Sequence, residues 1–480
     1  MAGIYLHVPF CVKKCAYCDF VSFPEQGRAD AYFQTLYKEI AMAAAECGGK
    51  KFDTVFFGGG TPSAVPLEFI CTAMERIRAC FDLEISEATI ECNPGTVDMD
   101  KLKAYRRAGS NRISIGVQSF DNGLLRSIGR IHSAAQAEDA VKLSRAAGFE
   151  NINIDLMYGL PGQSERAYID SIERGGLLDV DHISAYSLIL EEGTPLYAWV
   201  KQGRAVLPDD DAVYDMHRAG MARLESLGYK RYEISNYARP NCQCRHNINY
   251  WDVGEYIGLG LNSSSALRSK EGELIRFRNS ESMDDYISKI EKGCLPREDI
   301  ESIGREDEMF EWIMLGLRKI EGVELGRFKA RFGADVCEVY KEAVNKLENM
   351  GWLTVDGVSM RLTDRGLDIE PLKELIEDTL DEEKIKSSHC DFYATALSLS
   401  DRREINFDVK SAPPGAMKDM LLASAYFPGF KNEKLGGKTD MDGGSVNNVP
   451  VDVLVDKGYK DIIVIRIYGI GVDREKMFRI

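Results

Sequence analysis

Six times between residue 1 and about residue 235, a short apolar run is followed by a longer amphipathic one. "GIYLHV" precedes "ADAYFQTLYKEIAMAAAE", "DTVFFGG" precedes "PLEFICTAMERIRACF", and "EATIECNPG" precedes "DMDKLKAYRRAG". "RISIGVQSF", "NINIDLMYGLPG" and "DHISAYSLIL" complete the series. The short runs read as strands and the segments between them as helices. Repeated strand–helix units demand a parallel sheet with right-handed crossovers, which curves towards a barrel or partial barrel. In that architecture chemistry gathers at the carboxyl ends of the strands. The unusual motifs fall there: "CVKKCAYCDF", "GGGTPS", "ECNPGT", "GVQSF" and "YGLPGQ".

The chain is long enough, at 480 residues, for two to four domains. Its 60 basic and 76 acidic side chains leave a net charge of −16, which argues against generic nucleic-acid or anionic-membrane binding. No apolar run is long enough for a transmembrane segment. His7, Lys13 and Lys14 stand where a signal peptide would need an apolar stretch. Twelve cysteines, irregularly spread, do not read as a disulfide framework, so a reducing cytoplasm is the expected location.

Cys11, Cys15 and Cys18 lie within eight residues. Four thiols would close a tetrahedral zinc site. Three leave one iron of a four-iron cluster without a protein ligand, and that open position is where chemistry can occur. The plain structural alternative is a set of inert thiols on one helix face, since the spacing is i, i+4, i+7. Pro9 and the preceding strand instead place them on a loop at a strand end.

These residues resemble the radical SAM superfamily, and within it the oxygen-independent coproporphyrinogen dehydrogenase-like group, with the HemW-type haem chaperones as the nearest match. The resemblance covers about residues 1–368. "HVPFCVKKCAYCDF", "FFGGGTPS", "ECNPGT", "GVQSF", "IGRIH", "DLMYGLPGQ", "YEISNYA" and "HNINYW" occur in family order. It implies a [4Fe–4S] cluster on Cys11, Cys15 and Cys18, with S-adenosyl-L-methionine (SAM) on the fourth iron. It also implies SAM contacts from Gly58, Gly59, Gly60, Thr61, Glu91, Gln118, Arg130 and Asp155, and cofactor-side positions for Tyr5 and Tyr17. The glycines could equally form a tight turn, and the two tyrosines could be core aromatics.

"HNINYW" brings His246 beside Tyr250 and Trp251. A neutral imidazole with aromatic neighbours suits haem iron, although a lone histidine is as often a satisfied structural residue. The HNxxYW pattern of the HemW type points to His246 as a haem contact. Cys242 and Cys244 could compete as ligands or be ordinary thiols. Two departures matter. Phe20 stands where the dehydrogenase has a fourth cysteine, and the long N-terminal extension of that enzyme does not precede the motif. Ser263, Ser264 and Ser265 replace an Ala-His-Ser sequence usual in the family.

The expected fold is therefore α/β: a partial (β/α)6 radical SAM barrel over residues 1–235, then a region at 236–368 carrying the HNxxYW motif and a small α+β winged-helix-like module. That module suits packing or partner docking better than DNA binding. Residues 370–480 resemble a partial α/β segment of patatin-like phospholipases, in which Asp442 matches the aspartate of a catalytic pair. No G-x-S-x-G nucleophile accompanies it, so this segment is expected to be inactive. The leading function is a haem chaperone, with a recipient haemoprotein (respiratory and membrane-associated), an electron donor and no nucleic-acid partner. No catalytic residue is assigned. The alternatives are oxidative decarboxylation of coproporphyrinogen III and, through Asp442, lipid acyl hydrolysis.

Overall fold

The computed structural model describes residues 2–364 and, beyond them, only 383, 386, 393–398, 403–408, 440–442, 463–464 and 478–479. The patatin-like segment at 370–480 otherwise lies outside the described residues.

Six strands form the parallel centre of the sheet in chain order: β1 (Ala2–Val8), β2 (Lys51–Gly59), β3 (Asp82–Cys92), β4 (Arg112–Gln118), β5 (Asn151–Tyr158) and β6 (His182–Ser187). Helices α1 (Ala29–Cys47), α2 (Leu67–Cys80) and α3 (Met99–Ala108) connect the first four strands. The short α4 (Asn122–Ser127) and then α5 (Ala134–Ala146) follow β4, and α6 (Glu165–Leu177) follows β5. Every neighbouring pair from β1 to β6 is parallel, as the strand–helix alternation requires.

The strands have two unlike faces. Ile113, Ile115 and Val117 on β4, and Ile152, Ile154 and Leu156 on β5, are fully buried. The alternate positions carry Arg112 and Ser114 on β4 and Asn153 and Asp155 on β5. Register places Glu91 opposite Ser114, Ser114 opposite Asn153, and Asp155 opposite Ser184. The two-residue strand period thus puts the apolar set on one face and a polar set on the other, which lines the inside of the curve.

The sheet runs past the boundary expected at residue 235. After α7 (Pro195–Lys201) and α8 (Asp210–Ser226), β7 (Lys230–Arg231) and β8 (Asn236–Ala238) add an antiparallel edge to β6. Helix α9 (Arg245–Trp251) leads to β9 (Tyr256–Leu259), which pairs in parallel with β1. Strands β10 (Ser264–Arg268), β11 (Leu274–Asn279) and β12 (Arg297–Ile303) extend that edge, giving twelve strands in the order β12-β11-β10-β9-β1-β2-β3-β4-β5-β6-β8-β7. A buried carboxylate ties this extension to the centre. Glu39 of α1 accepts hydrogen bonds from the Asn279 side chain at 2.6 Å, the Gly260 amide at 2.8 Å and the Tyr286 hydroxyl.

Among the described residues, 321–364 form helices and a small sheet in a second unit that also takes in Asp209–Asp215. Helices α10 (Met283–Glu291) and α11 (Arg305–Gly316) belong to the first unit. In the second, β13 (Val323–Glu324), α12 (Leu325–Phe332), α13 (Val336–Val339) and α14 (Lys341–Asn349) precede the hairpin of β14 (Leu353–Val355) and β15 (Ser359–Leu362). Phe328, Phe332, Val344 and Trp352 are buried there. This is the helices-then-hairpin pattern expected of a winged-helix-like module.

Ile154 nests against Gly175 of α6, where an added Cβ would meet its Cδ1 at 2.7 Å. Ile154→Ala is expected to lower stability by about 2–5 kcal/mol in urea unfolding. Ile189→Ala, at a side chain 46% exposed, is expected to change it by no more than about 0.5 kcal/mol.

Candidate functional site

The three cysteines follow β1 directly, and the segment carrying them is a loop, not a helix. Backbone bonds fix its path. Cys11 N–H donates to Phe23 O at 3.0 Å and Phe23 N–H to Pro9 O at 2.8 Å. Ala16 N–H donates to Ile128 O at 3.0 Å, and Ala16 O accepts from Leu196 N–H at 2.8 Å. Cys11 is buried, while Cys15 and Cys18 are half-buried, and all three are free thiols. Burial pushes the Cys18 thiol up, and the neighbouring Cys15 and Cys11 add to that effect.

A chain of side-chain contacts joins two of the cysteines across four strand ends. Cys11 Sγ lies 3.4 Å from Thr61 Oγ1. Asn93 donates from Nδ2 to Thr61 Oγ1 at 2.7 Å and accepts at Oδ1 from Arg130 Nη2 at 2.7 Å. Arg130 Nη1 in turn donates to Cys15 Sγ at 3.4 Å, and its Nη2 also reaches Gly116 O. Arg130 Nε is buried without a partner. A narrow cleft beside the loop is lined by Lys13, Cys15, Thr61, Asn93, Arg130 and His132.

The other expected site residues gather on the same end of the sheet. Gly58 and Gly59 end β2, and Gly60 follows. Gly59 has φ +104°, and a Cβ there would lie 2.4 Å from the His7 ring. A Cβ on Gly60 would meet Val8 O and Phe10 O at 2.8 Å. These glycines therefore satisfy a packing need against β1 as well as leaving the backbone bare. Glu91 accepts the Gly59 amide at 3.2 Å, and burial, then the charge of Asp155, raises its carboxyl to about 8. Burial also raises Asp155, which accepts from Asn153 Nδ2 at 2.8 Å. Gln118 closes β4 with φ +65°, a left-handed conformation that costs a non-glycine residue about 1–3 kcal/mol and often marks a functional position. Tyr17 packs beside Leu124, Ile128, Met157 and Leu160. Tyr5 contacts His7 Nδ1 at 3.0 Å.

His246 stands elsewhere. It is 1% exposed, with Nδ1 2.8 Å from Thr54 Oγ1 and Nε2 2.8 Å from Tyr250 Oη. Its ring stacks on Phe56 at 5.2 Å. Burial, with a contribution from Arg112, lowers its pKa to about 3. Both nitrogens are engaged, so this conformation offers none to an iron. A Cβ on Gly3 would touch the His246 ring at 3.0 Å, which places His246 at the amino end of β1, about 17 Å of strand rise from Val8. Glu87 accepts the Arg245 and His246 amides at 2.9 and 3.1 Å, capping α9, and Cys244 Sγ contacts Glu87 Oε1 at 3.5 Å. Ser263 and Ser265 bond backbone groups of Gly260 and Gly258.

Asn93 is the contact that sequence reasoning passed over. It lies inside the quoted "ECNPGT", and its placement before a proline at a strand end was the available signal.

Three thiols on one loop, one for each of three irons, suit a cuboidal four-iron cluster. Among the described residues, no three of His, Cys, Asp and Glu converge on one ion. Zinc would need its thiolates about 3.8 Å apart, given Zn–S bonds of about 2.3 Å. A cuboidal cluster takes each thiolate on a different iron.

Residues 5–174 match the Radical SAM superfamily model, and residues 303–369 match the HemN C-terminal domain. The coproporphyrinogen III oxidase (HemN) of Escherichia coli, described as a radical SAM enzyme, shares the fold with a TM-score of 0.65 at 22% identity, over 76% of this chain and 87% of that one. The class is therefore a radical SAM protein, for which a [4Fe–4S] cluster and SAM are implied. Heme chaperone HemW of E. coli K12 is 36% identical over 368 residues, covering 76% of this chain and 94% of that protein. HemW of Bacillus subtilis is 33% identical over 369 residues, covering 76% and 96%. The chain belongs to the HemW haem chaperone family.

Two outcomes follow from the site. Unfolded chain releases the Glu91 proton near 4.5 and folded chain near 8. Between those values the native state holds more protons, so this group makes stability fall as pH rises. Glu91→Gln is expected to flatten the dependence of the urea midpoint between pH 5 and 8 and to stabilise the apo protein most at pH 8. His246→Ala leaves two hydroxyls facing a void and is expected to cost the apo protein about 1–3 kcal/mol, a loss that a histidine serving only as an iron ligand would not produce.

Proposed function

We propose that the chain is a haem chaperone that holds a [4Fe–4S] cluster on Cys11, Cys15 and Cys18, binds SAM beside it, and captures haem for delivery to a haemoprotein. The observation that carries this reading is three thiols on one loop at the carboxyl end of the parallel sheet, two of them joined through Thr61, Asn93 and Arg130. No fourth thiol completes the set at position 20, where Phe20 is 67% exposed.

The chain's own groups divide the work. Arg130 donates to one cysteine sulfur and offers an unused Nε, which suits a carboxylate or the negative cluster. Glu91 of β3 and Asp155 of β5 stand on the same polar face with β4 between them, close enough for the Asp155 charge to act on Glu91, and a hydroxyl-rich ligand such as a ribose could use their oxygens. Gly58, Gly59, Gly60, Thr61 and Gln118 shape the same rim, with Tyr5 and Tyr17 behind it. When bound, the cluster supplies an electron and an open iron position to SAM.

Delivery to a respiratory, membrane-associated recipient, the need for an electron donor and a cytoplasmic location belong to this proposal. Among the described residues no helix is long and apolar enough to cross a membrane. The barrel at 1–235, the region at 236–368 and the segment at 370–480 are kept as functional divisions, although the sheet crosses the first boundary. No activity is assigned to residues 370–480, whose patatin likeness rests on sequence motifs alone.

Anaerobic reconstitution of the full chain with iron and sulfide is expected to yield about four irons per chain, as this ligand class requires, and Cys15→Ala to retain less than half of that. The reconstituted chain should take up haem and pass it to an apo-haemoprotein. Conversion of coproporphyrinogen III by reduced protein with SAM would replace this reading with the dehydrogenase.

A further inference from the structure

An open cleft of about 450 Å³ lies on the loops at the carboxyl end of the sheet, a volume within the range of small-molecule sites. Arg126 at the end of α4, Pro161 and Gly162 after β5, and Trp199 of α7 with Arg204 and Val206 beyond it form its walls. The Gly162 amide donates to Val206 O at 3.1 Å and joins two of those walls. The Arg204 guanidinium lies 5.7 Å from the centre of the Trp199 ring. Among the described residues, no carboxylate lines the cleft. Two guanidiniums without a lining acid are a local positive feature in a chain of net charge −16, and they would draw in an anion that the rest of the surface repels.

The cleft is built onto the cysteine loop. Ala16, between Cys15 and Cys18, donates its amide to Ile128 O, two residues beyond Arg126, and accepts at its carbonyl from Leu196 N–H of α7. Both walls therefore hang on one residue of that loop. His246, by contrast, is sealed at the other end of the strands.

We infer that this cleft receives the two carboxylates and one ring face of haem, with Arg126 and Arg204 pairing the propionates and Trp199 packing on the macrocycle. The inference rests on the chaperone reading for the identity of its ligand. Planar guanidiniums match carboxylates in a bidentate fork, and an aromatic wall beside them suits a flat apolar ring. The site would hold haem next to the cluster loop.

The test compares haemin with haemin dimethyl ester, whose carboxylates are masked, by Soret titration of the anaerobically reconstituted full chain. Arg126→Gln/Arg204→Gln is expected to weaken haemin binding about tenfold or more, equivalent to at least about 1.4 kcal/mol. It should leave ester binding and iron content as in the wild type, which shows that the variant is folded. Arg126→Lys/Arg204→Lys should fall between the two, since charge without the fork recovers only part of the pairing. Haemin binding of equal strength in wild type and the Gln variant would overturn the cleft and leave the chaperone reading standing. Failure of the wild type to bind haemin at all would overturn both.

Discussion

Everything at the carboxyl end of the sheet depends on the hydrogen-bonded path from Cys11 through Thr61, Asn93 and Arg130 to Cys15. Its two cysteines share the loop after β1, Thr61 and Asn93 follow β2 and β3, and Arg130 follows α4, so the parallel order of β1 to β4 is what brings them together. The path sets the loop's position by side chains, while Ala16 sets it by backbone. Tyr17 adds an apolar anchor against Leu124, Ile128, Met157 and Leu160. That arrangement leaves Cys15 and Cys18 half-buried and Cys11 buried.

The same register explains why so much of the fold was legible in the chain. Runs such as "RISIGVQ" and "NINIDLMY" alternate because one face meets helices and the other meets the polar inside of the curve. Ile113, Ile115, Ile152 and Ile154 mark the first face, and Arg112, Ser114, Asn153 and Asp155 the second. The cysteine spacing and the glycine run carried the site for a similar reason: both are local, and local patterns survive in a linear sequence. Glu91, Arg130 and Asp155 were legible through family motifs, since a single acid at a strand end has no distinguishing neighbours in sequence.

What the sequence concealed is long-range. Nothing in "GEYIGLGL" reveals that its strand pairs in parallel with residues 3–6, more than 250 positions earlier, and the boundary at 235 was placed where the sheet continues. Glu39 looks like one more helix acid, yet it is buried and holds Asn279, Gly260 and Tyr286. Its meaning lies wholly in partners more than 220 residues away. His246 is a further case: its Tyr250 contact lies within the motif, whereas its other partner, Thr54, comes from β2 and is invisible in the local sequence.

The position of His246 gives the HNxxYW motif a physical role. His246 stacks on Phe56, Phe56 stacks on Tyr5 at 6.2 Å, and Tyr5 contacts His7 Nδ1. The other ring nitrogen of His7 lies 3.0 Å from Val21 O, on the far arm of the cysteine loop. A carbonyl only accepts, so His7 Nε2 carries the proton and Nδ1 accepts from the Tyr5 hydroxyl. This is the neutral tautomer, and burial favours it by lowering the His7 pKa to about 4. A continuous column of rings therefore runs from the capped helix α9 at the amino end to the loop at the carboxyl end. Packed interiors resist compression, so a change in volume at one ring of the column is felt by its neighbours. In this conformation packed rings and hydrogen bonds join the HNxxYW motif to the cysteine loop.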